Sequence, residues 1–368
     1  MLRKFSYVAF VILLIASPML VETAPAERTQ VGVASHIAPM IPNFNQANRH
    51  PIATSHRKST SISPLAAAAP VFLPPVAYDA GGSPWGNLAI ADFNADGNLD
   101  MVLPNQGFYG FTVGILLGNG HGWFAPPVSY APGPPWAATW PQSVAVADVN
   151  GDDRPDLIVG VACDGPTCTE SVVGVLLGNG DGSFQPGVTY STGAWFAYAV
   201  AVADVDADGK PDVLVGNQCT TNQWICEHGT VVSVLLGNGD GTFRPPSSYR
   251  CGGSAGFYNS LAVADVNSDG KSDVVVATGQ SNGYGTVAVL LGNGDGTFQA
   301  EIDYASGSQG SWSSSLAVGD INKDGKPDIA VMNYEGTVGV LLGNGDGTFQ
   351  PPVNYDANGD LALVVIAL

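Results

Sequence analysis

The chain has 368 residues, of which 32 are acidic and 13 basic, giving a formal net charge of −19. Nothing in it resembles a basic stripe or an aromatic RNA-binding strand, so nucleic acid is excluded as a partner. Seventeen of the acidic residues fall inside five short loops, which places the charge where cations would neutralise it, unlike the scatter of a merely acidic surface.

At the N-terminus, Arg3 and Lys4 precede an apolar stretch from Phe5 to Leu20, broken by Ser17 and Pro18. Ala24-Pro25-Ala26 then offers a cleavage site. Residues 1–26 read as an export signal, which places the protein outside the cell, secreted or at the cell surface. A retained membrane anchor is the competing reading, but the run is short of the roughly 20 residues that span a bilayer. Residues 27–70 are rich in Ala, Ser, Pro and Asn, hold His36, His50 and His56, and show no periodicity. They read as a low-complexity leader or tether.

From residue 71 to 368 the chain repeats. Residues 71–78 match the last strand of a unit whose earlier strands are missing. Five complete units follow, each built on an Asp-rich loop: Asp92, Asn94, Asp96 and Asp100; Asp148, Asn150, Asp152 and Asp156; Asp204, Asp206, Asp208 and Asp212; Asp265, Asn267, Asp269 and Asp273; Asp320, Asn322, Asp324 and Asp328. Oxygen-bearing side chains at positions 1, 3, 5 and 9 suit a hard cation that takes six to eight oxygens, and predict up to five Ca2+ sites. The loops recur at steps of 56, 56, 61 and 55 residues, which is the signature of a repeat architecture. An EF-hand is excluded, because the position for its bidentate Glu holds Leu103, Val159, Val215, Val276 and Val331.

Each loop lies between short apolar runs rich in β-branched residues, such as Leu261 to Ala264 and Val274 to Ala277, and so joins two strands. A third strand, Gly285 to Leu291 in the fourth unit, reaches the turn Gly292-Asn293-Gly294-Asp295-Gly296. The fourth strand follows. Asn-Gly and Asp-Gly point to a hairpin through the positive φ of a primed turn. The same turn recurs at 178–182, 237–241 and 343–347, with His121 in the first copy. The expected fold is all-β, a β-propeller of four-stranded antiparallel blades with five complete repeats and a partial repeat at each end. A linear solenoid, with shorter coils and fewer strands, is the alternative. Ala145 and Ala147, alternating with Val144 and Val146 on an inner strand, fit sheets that converge on a central channel.

The apolar strand, the Asp-x-Asn-x-Asp-Gly-x-x-Asp loop and the Leu-Leu-Gly-Asn-Gly-Asp-Gly-x-Phe hairpin together resemble the FG-GAP and VCBS repeats, a family whose relatives form the head of integrin α chains. The resemblance runs from about Val71 to the C-terminus and implies a calcium-braced propeller for adhesion or ligand binding. Asp153 stands where the motif has Gly, at a position the left-handed region makes tolerable to Asp. Five loops are present where integrin heads have seven blades.

Cys163 and Cys168 lie between the second and third strands of the second unit, and Cys219 and Cys226 in the same stretch of the third. Each pair is a candidate disulfide in an oxidising compartment. Cys251 is left over. Zinc is disfavoured, because no histidine accompanies these cysteines at ribbon spacing.

In a meandering blade the cation loops and glycine-rich turns share one face. The opposite face carries the crossings between blades, with Trp85; Trp136 and Trp140; Trp195, Phe196 and Tyr198; Phe257 and Tyr258; and Trp312. Such a set suits a surface that binds a carbohydrate or an extracellular protein; the alternative is that the rings plug spaces between blades. No zinc-protease, serine-hydrolase or phosphate-loop motif is present, so the chain reads as a binding module and not an enzyme. A polysaccharide lyase or hydrolase would depend on Glu170, Glu227, Glu301 or Glu335, and a surface scaffold without a small ligand is a third reading. Residues 349–355 match a fourth strand and 361–368 a first strand. This leaves open closure at five blades or an incomplete ring of six or seven.

Overall fold

The computed structural model describes residues 76–356 apart from 85, 108–109, 134–138, 164–169, 220–228, 253–259, 280–284 and 309–312. The export signal, the leader and the strand-like segment 361–368 lie outside the described residues. So do Trp85, Trp136, Phe257, Tyr258, Trp312, Cys168 and Cys226. No described helix is long and apolar enough to cross a membrane.

The described residues are all β. The first sheet holds β1 (Ser83–Pro84), β2 (Ala89–Ala91), β3 (Asp100–Gly107), β4 (Gly110–Leu116) and β5 (Val128–Tyr130). The second holds β6 (Thr139–Ala147), β7 (Asp156–Cys163), β8 (Val172–Leu176) and β9 (Val188–Ser191). The third holds β10 (Trp195–Ala203), β11 (Asp212–Cys219), β12 (Val231–Leu235) and β13 (Ser247–Arg250). The fourth holds β14 (Ser260–Ala264), β15 (Asp273–Gly279), β16 (Gly285–Leu290) and β17 (Ile302–Ala305). The fifth holds β18 (Ser313–Gly319), β19 (Asp328–Asn333), β20 (Thr337–Leu341) and β21 (Val353–Asp356). Within each sheet the strands lie in chain order and pair antiparallel; β1 and β2 share one edge of β3. The Asp-rich loops join first to second strands and the glycine-rich turns join third to fourth, as the repeat predicts.

The second strands explain why their sequences read as unbroken apolar runs. β11, β15 and β19 are buried at every residue, because sheets that pack on both faces leave no polar side for alternation to mark. Consecutive sheets meet in four apolar seams. Val102, Val113 and Ile115 face Val144, Leu157 and Phe184 in the first, and the same register recurs in the other three. Each seam closes on an edge-on aromatic pair: Tyr130 with Phe184, Tyr190 with Phe243, Tyr249 with Phe298 and Tyr304 with Phe349, with centroids 5.5, 5.3, 5.3 and 5.4 Å apart. Such geometry adds about 0.5–1.5 kcal/mol beyond the area buried. Backbone bonds cross the same seams, from Gly182, Gly241 and Gly296 N–H to the carbonyls of Phe93, Val149 and Val205.

The glycine-rich turn works differently from the primed turn expected. Its second and third glycines take positive φ, as in Gly294 at 77° and Gly296 at 79°, while Asn293 and Asp295 do not. The Asp instead accepts bonds from the residue two places on: Asp295 Oδ1 takes the Thr297 N–H at 3.0 Å and the Thr297 hydroxyl at 2.5 Å. The first glycine serves close approach, since a Cβ on Gly237 would collide with the Pro211 carbonyl oxygen. Gly237→Ala is expected to cost about 1–3 kcal/mol as overpacking, read as a lower urea midpoint.

Candidate metal-binding loops

Loop positions are counted from the first Asp. In the third loop Asp204 Oδ1 accepts the Asp208 N–H at 3.2 Å and Oδ2 the Gly209 N–H at 2.9 Å. Asp208 Oδ1 accepts the Lys210 N–H at 3.0 Å. These local bonds curl the backbone around its own carboxylates, and one oxygen each from Asp204, Asp206 and Asp208 lies within 4.8 Å of the others. In the other loops position 3 is Asn94, Asn150, Asn267 or Asn322, whose side-chain oxygen accepts the N–H of position 5 at 2.9 to 3.1 Å. All donors offered at positions 1, 3 and 5 are oxygens, which suits a hard cation.

The curl needs two left-handed residues, at positions 4 and 6. Position 6 is the motif glycine, with Asp153 at φ 62° in its place. Position 4 is Ala95, Gly151, Ala207, Ser268 and Lys323, with φ between 57° and 75°; no sequence signal marks it. Left-handed backbone costs a residue with a Cβ about 1–2 kcal/mol. Asp153→Gly is therefore expected to stabilise the protein by about 1 kcal/mol, seen as a higher denaturant midpoint with the carboxylates at positions 1, 5 and 9 kept.

Position 9 is set apart from the exposed tip. Asp100, Asp156, Asp212, Asp273 and Asp328 are fully buried. In each, Oδ2 accepts the N–H of loop position 2, from Phe93, Val149, Val205, Val266 and Ile321, at 2.8 to 3.0 Å. Oδ1 accepts the N–H of the first turn glycine, from Gly118, Gly178, Gly237, Gly292 and Gly343, at 2.7 to 2.8 Å. One carboxylate thus clips the two hairpins of its sheet together. Burial pushes the carboxyls of Asp100, Asp156, Asp212 and Asp273 up, against the lowering pull of those two N–H donors. A carboxylate has about four acceptor sites, so each of these keeps two beyond the clip, except Asp328, whose Oδ2 also accepts the Asn322 N–H at 3.3 Å.

Four basic side chains stand beside the loops: Lys210 3.1 Å from Asp208, Lys271 3.7 Å from Asp269, Arg154 3.9 Å from Asp152 and Arg244 4.0 Å from Asp206. All are substantially exposed, so they hold the carboxylates weakly.

On the opposite face, Trp140, Trp195 and Tyr198 lie within strands β6 and β10 and not in crossing loops. The reason is a bulge in each strand, between Pro141 and Ser143 and between Ala197 and Ala199, which lets pairing run on to Cys163 and Cys219. All three rings are half-buried. Phe196 stacks on Tyr198 with centroids 6.1 Å apart and planes 9° from parallel, and Trp195 lies 6.2 Å from Phe196. Phe196 sits at φ 57°, an uncommon state for a bulky residue.

Cys219 is buried at the end of β11. Cys251 is a free, fully buried thiol, and burial pushes its pKa far up. It stands two residues past Tyr249, where the neighbouring repeats place Thr192 and Ser306, and packs as a small seam residue.

A family model described as FG-GAP-like repeat matches residues 162–215, 224–276, 265–331 and 320–367, and one described as FG-GAP repeat matches 140–162. Integrin alpha-IIb of Mus musculus is 30% identical over 155 residues, 38% of this chain and 15% of that protein. Integrin alpha-IIb of Homo sapiens is 29% identical over 214 residues, 53% and 20% of the two chains. Integrin alpha pat-2 of Caenorhabditis briggsae is 29% identical over 186 residues, 42% and 14%. The matched regions span a fifth or less of these relatives.

Proposed function

Because the chain belongs to the FG-GAP-like repeat family, we propose that it is an exported calcium-binding module whose five sheets are consecutive blades of a β-propeller. It takes an extracellular protein or carbohydrate on the face opposite the cation loops. The observation that carries this reading is the fivefold recurrence of one curled loop with oxygen-bearing side chains at positions 1, 3 and 5, which in the third loop bring one oxygen each from Asp204, Asp206 and Asp208 within 4.8 Å of one another. The remaining ligand of each site is the buried position 9 carboxylate. Bound calcium neutralises clustered carboxylates that otherwise repel, and so fixes the first hairpin of each blade. Integrin relatives point to adhesion, and the contiguous rings of Trp195, Phe196 and Tyr198 supply a surface on which a sugar face or an aromatic side chain can stack.

The test is retention of the full chain on arrays of polysaccharides and extracellular matrix proteins, with calcium and then with chelator. The reading expects retention that calcium supports, that Tyr198→Ala weakens, and that releases no cleaved product. Cleavage of a polysaccharide would make the protein an enzyme. Equal signal on every surface would remove the binding role.

A further inference from the structure

The five sheets are equivalent in register but not in cover. Loop position 2 points into the seam with the next sheet: Phe93 is 2% exposed, Val149 2%, Val205 3% and Val266 1%, but Ile321 is 39% exposed. On the third strand the residue paired with the seam tyrosine is Val113, Val173, Val232 or Val287. All of these are buried to within 1%, whereas the fifth counterpart, Val338, is partly exposed, as is Val340. Tyr355 is 57% exposed, and the four tyrosines in its register each rest on a phenylalanine of the following sheet. On the same face Ala330 and Met332 of β19, the partners of Val340 and Val338, are buried, so the part left uncovered among the described residues is the loop, the third strand and the outer-strand tyrosine.

The first sheet does not fill that need. Its Phe124 is already taken by Tyr78, edge-on at 5.2 Å, and the Tyr78 hydroxyl donates to the Gly122 carbonyl. Asn105 Nδ2 holds the Ala80 carbonyl, as Asn333 Nδ2 holds that of Ser306. Residues 76–80, in no strand, thus occupy the outer-strand place of a preceding blade. A lone extended segment can fill a seam position without a whole sheet behind it.

From these observations we propose that Leu361–Leu368 is the occupant of the exposed face, laid against β18 and β20 over Ile321, Val338 and Val340 as the inner strand of a sixth blade. Spacing supports the placement. The inner-strand residue that pairs with the fourth residue of the second strand, Val144, Val200, Leu261 and Leu316 opposite Val159, Val215, Val276 and Val331, follows the preceding tyrosine by 14, 10, 12 and 12 residues. Intervals of 10 and 12 counted from Tyr355 fall on Val365 and Ala367. Chemistry supports it too: Leu-Ala-Leu-Val-Val-Ile-Ala-Leu carries no polar side chain, and its burial removes from water both the segment and the face it covers.

The test is thiol labelling, mapped by mass spectrometry. Val338→Cys and, separately, Ile321→Cys are made in the full chain and in a chain ending at Asp356. Val287→Cys, at the same register inside a covered seam, is the control. The proposal expects both reporters to label roughly tenfold or more slowly in the full chain, as exposure becomes limited by local opening. Val287→Cys should remain slow in both chains, which shows that the truncated protein is folded. Equal labelling of the reporters in the two chains overturns the proposal. Protection that appears only at high protein concentration also overturns it, and assigns the face to a second copy.

Discussion

Asp212→Ala is expected to destabilise the protein by about 2–5 kcal/mol, because it strands two buried backbone N–H donors at about 1–3 kcal/mol each. The Val205 and Gly237 amides lose their acceptors at 2.9 and 2.8 Å, deep in a sheet where no water replaces them. Part of the loss is offset, since burial already disfavours the charged carboxylate. Asp212→Asn keeps one acceptor and turns an NH2 toward the other donor, so its cost is expected near the lower end of the same range. Urea denaturation with chelator present separates this clip from cation binding. Against a total stability of about 5–15 kcal/mol, the alanine variant is expected to show a large fall in midpoint even without calcium. An unchanged midpoint would mean that the clip is redundant.

Chelation is the second large effect. At a tenfold excess of calcium over its dissociation constant, each site stabilises the folded state by about 1.4 kcal/mol, and five such sites by about 7 kcal/mol. For a domain of this size that corresponds to a fall in the melting temperature of about 10–20 °C when the cation is removed. The effect should be graded. Asp204→Ala deletes both the ligand and the two local bonds that curl the loop, and is expected to remove roughly one site's share of the calcium response. Scanning calorimetry of both proteins, with calcium and with chelator, measures that difference directly.

What could be read before folding was what lies close in sequence. The Asp-x-Asn-x-Asp-Gly-x-x-Asp spacing identified the loops, because their bonds run over five residues or fewer, as from Gly209 to Asp204. The apolar run after each loop identified a doubly covered strand. The seam tyrosines carry no such signal, because Tyr249 meets Phe298 across 49 residues, a distance over which no local pattern reports a contact. Position 4 escaped because Ala207 and Lys323 adopt a backbone state that their side chains do not favour. The bonds that positions 5 and 6 donate to the position 1 carboxylate hold them there. Trp140 and Trp195 read as loop residues in the sequence because a proline at 141 and a bulge after Ala197 hide the strand that runs through them. The position 9 aspartates read in the sequence as cation ligands, whereas the two hydrogen bonds each accepts from backbone amides are a property of the assembled sheet.

The most direct test of the cation account is calorimetric titration of calcium into protein first stripped with chelator. The account predicts saturable binding approaching five ions per chain, falling by one when Asp204, Asp206 and Asp208 are replaced together by Ala. Absence of binding heat, together with a melting curve indifferent to calcium, would contradict it.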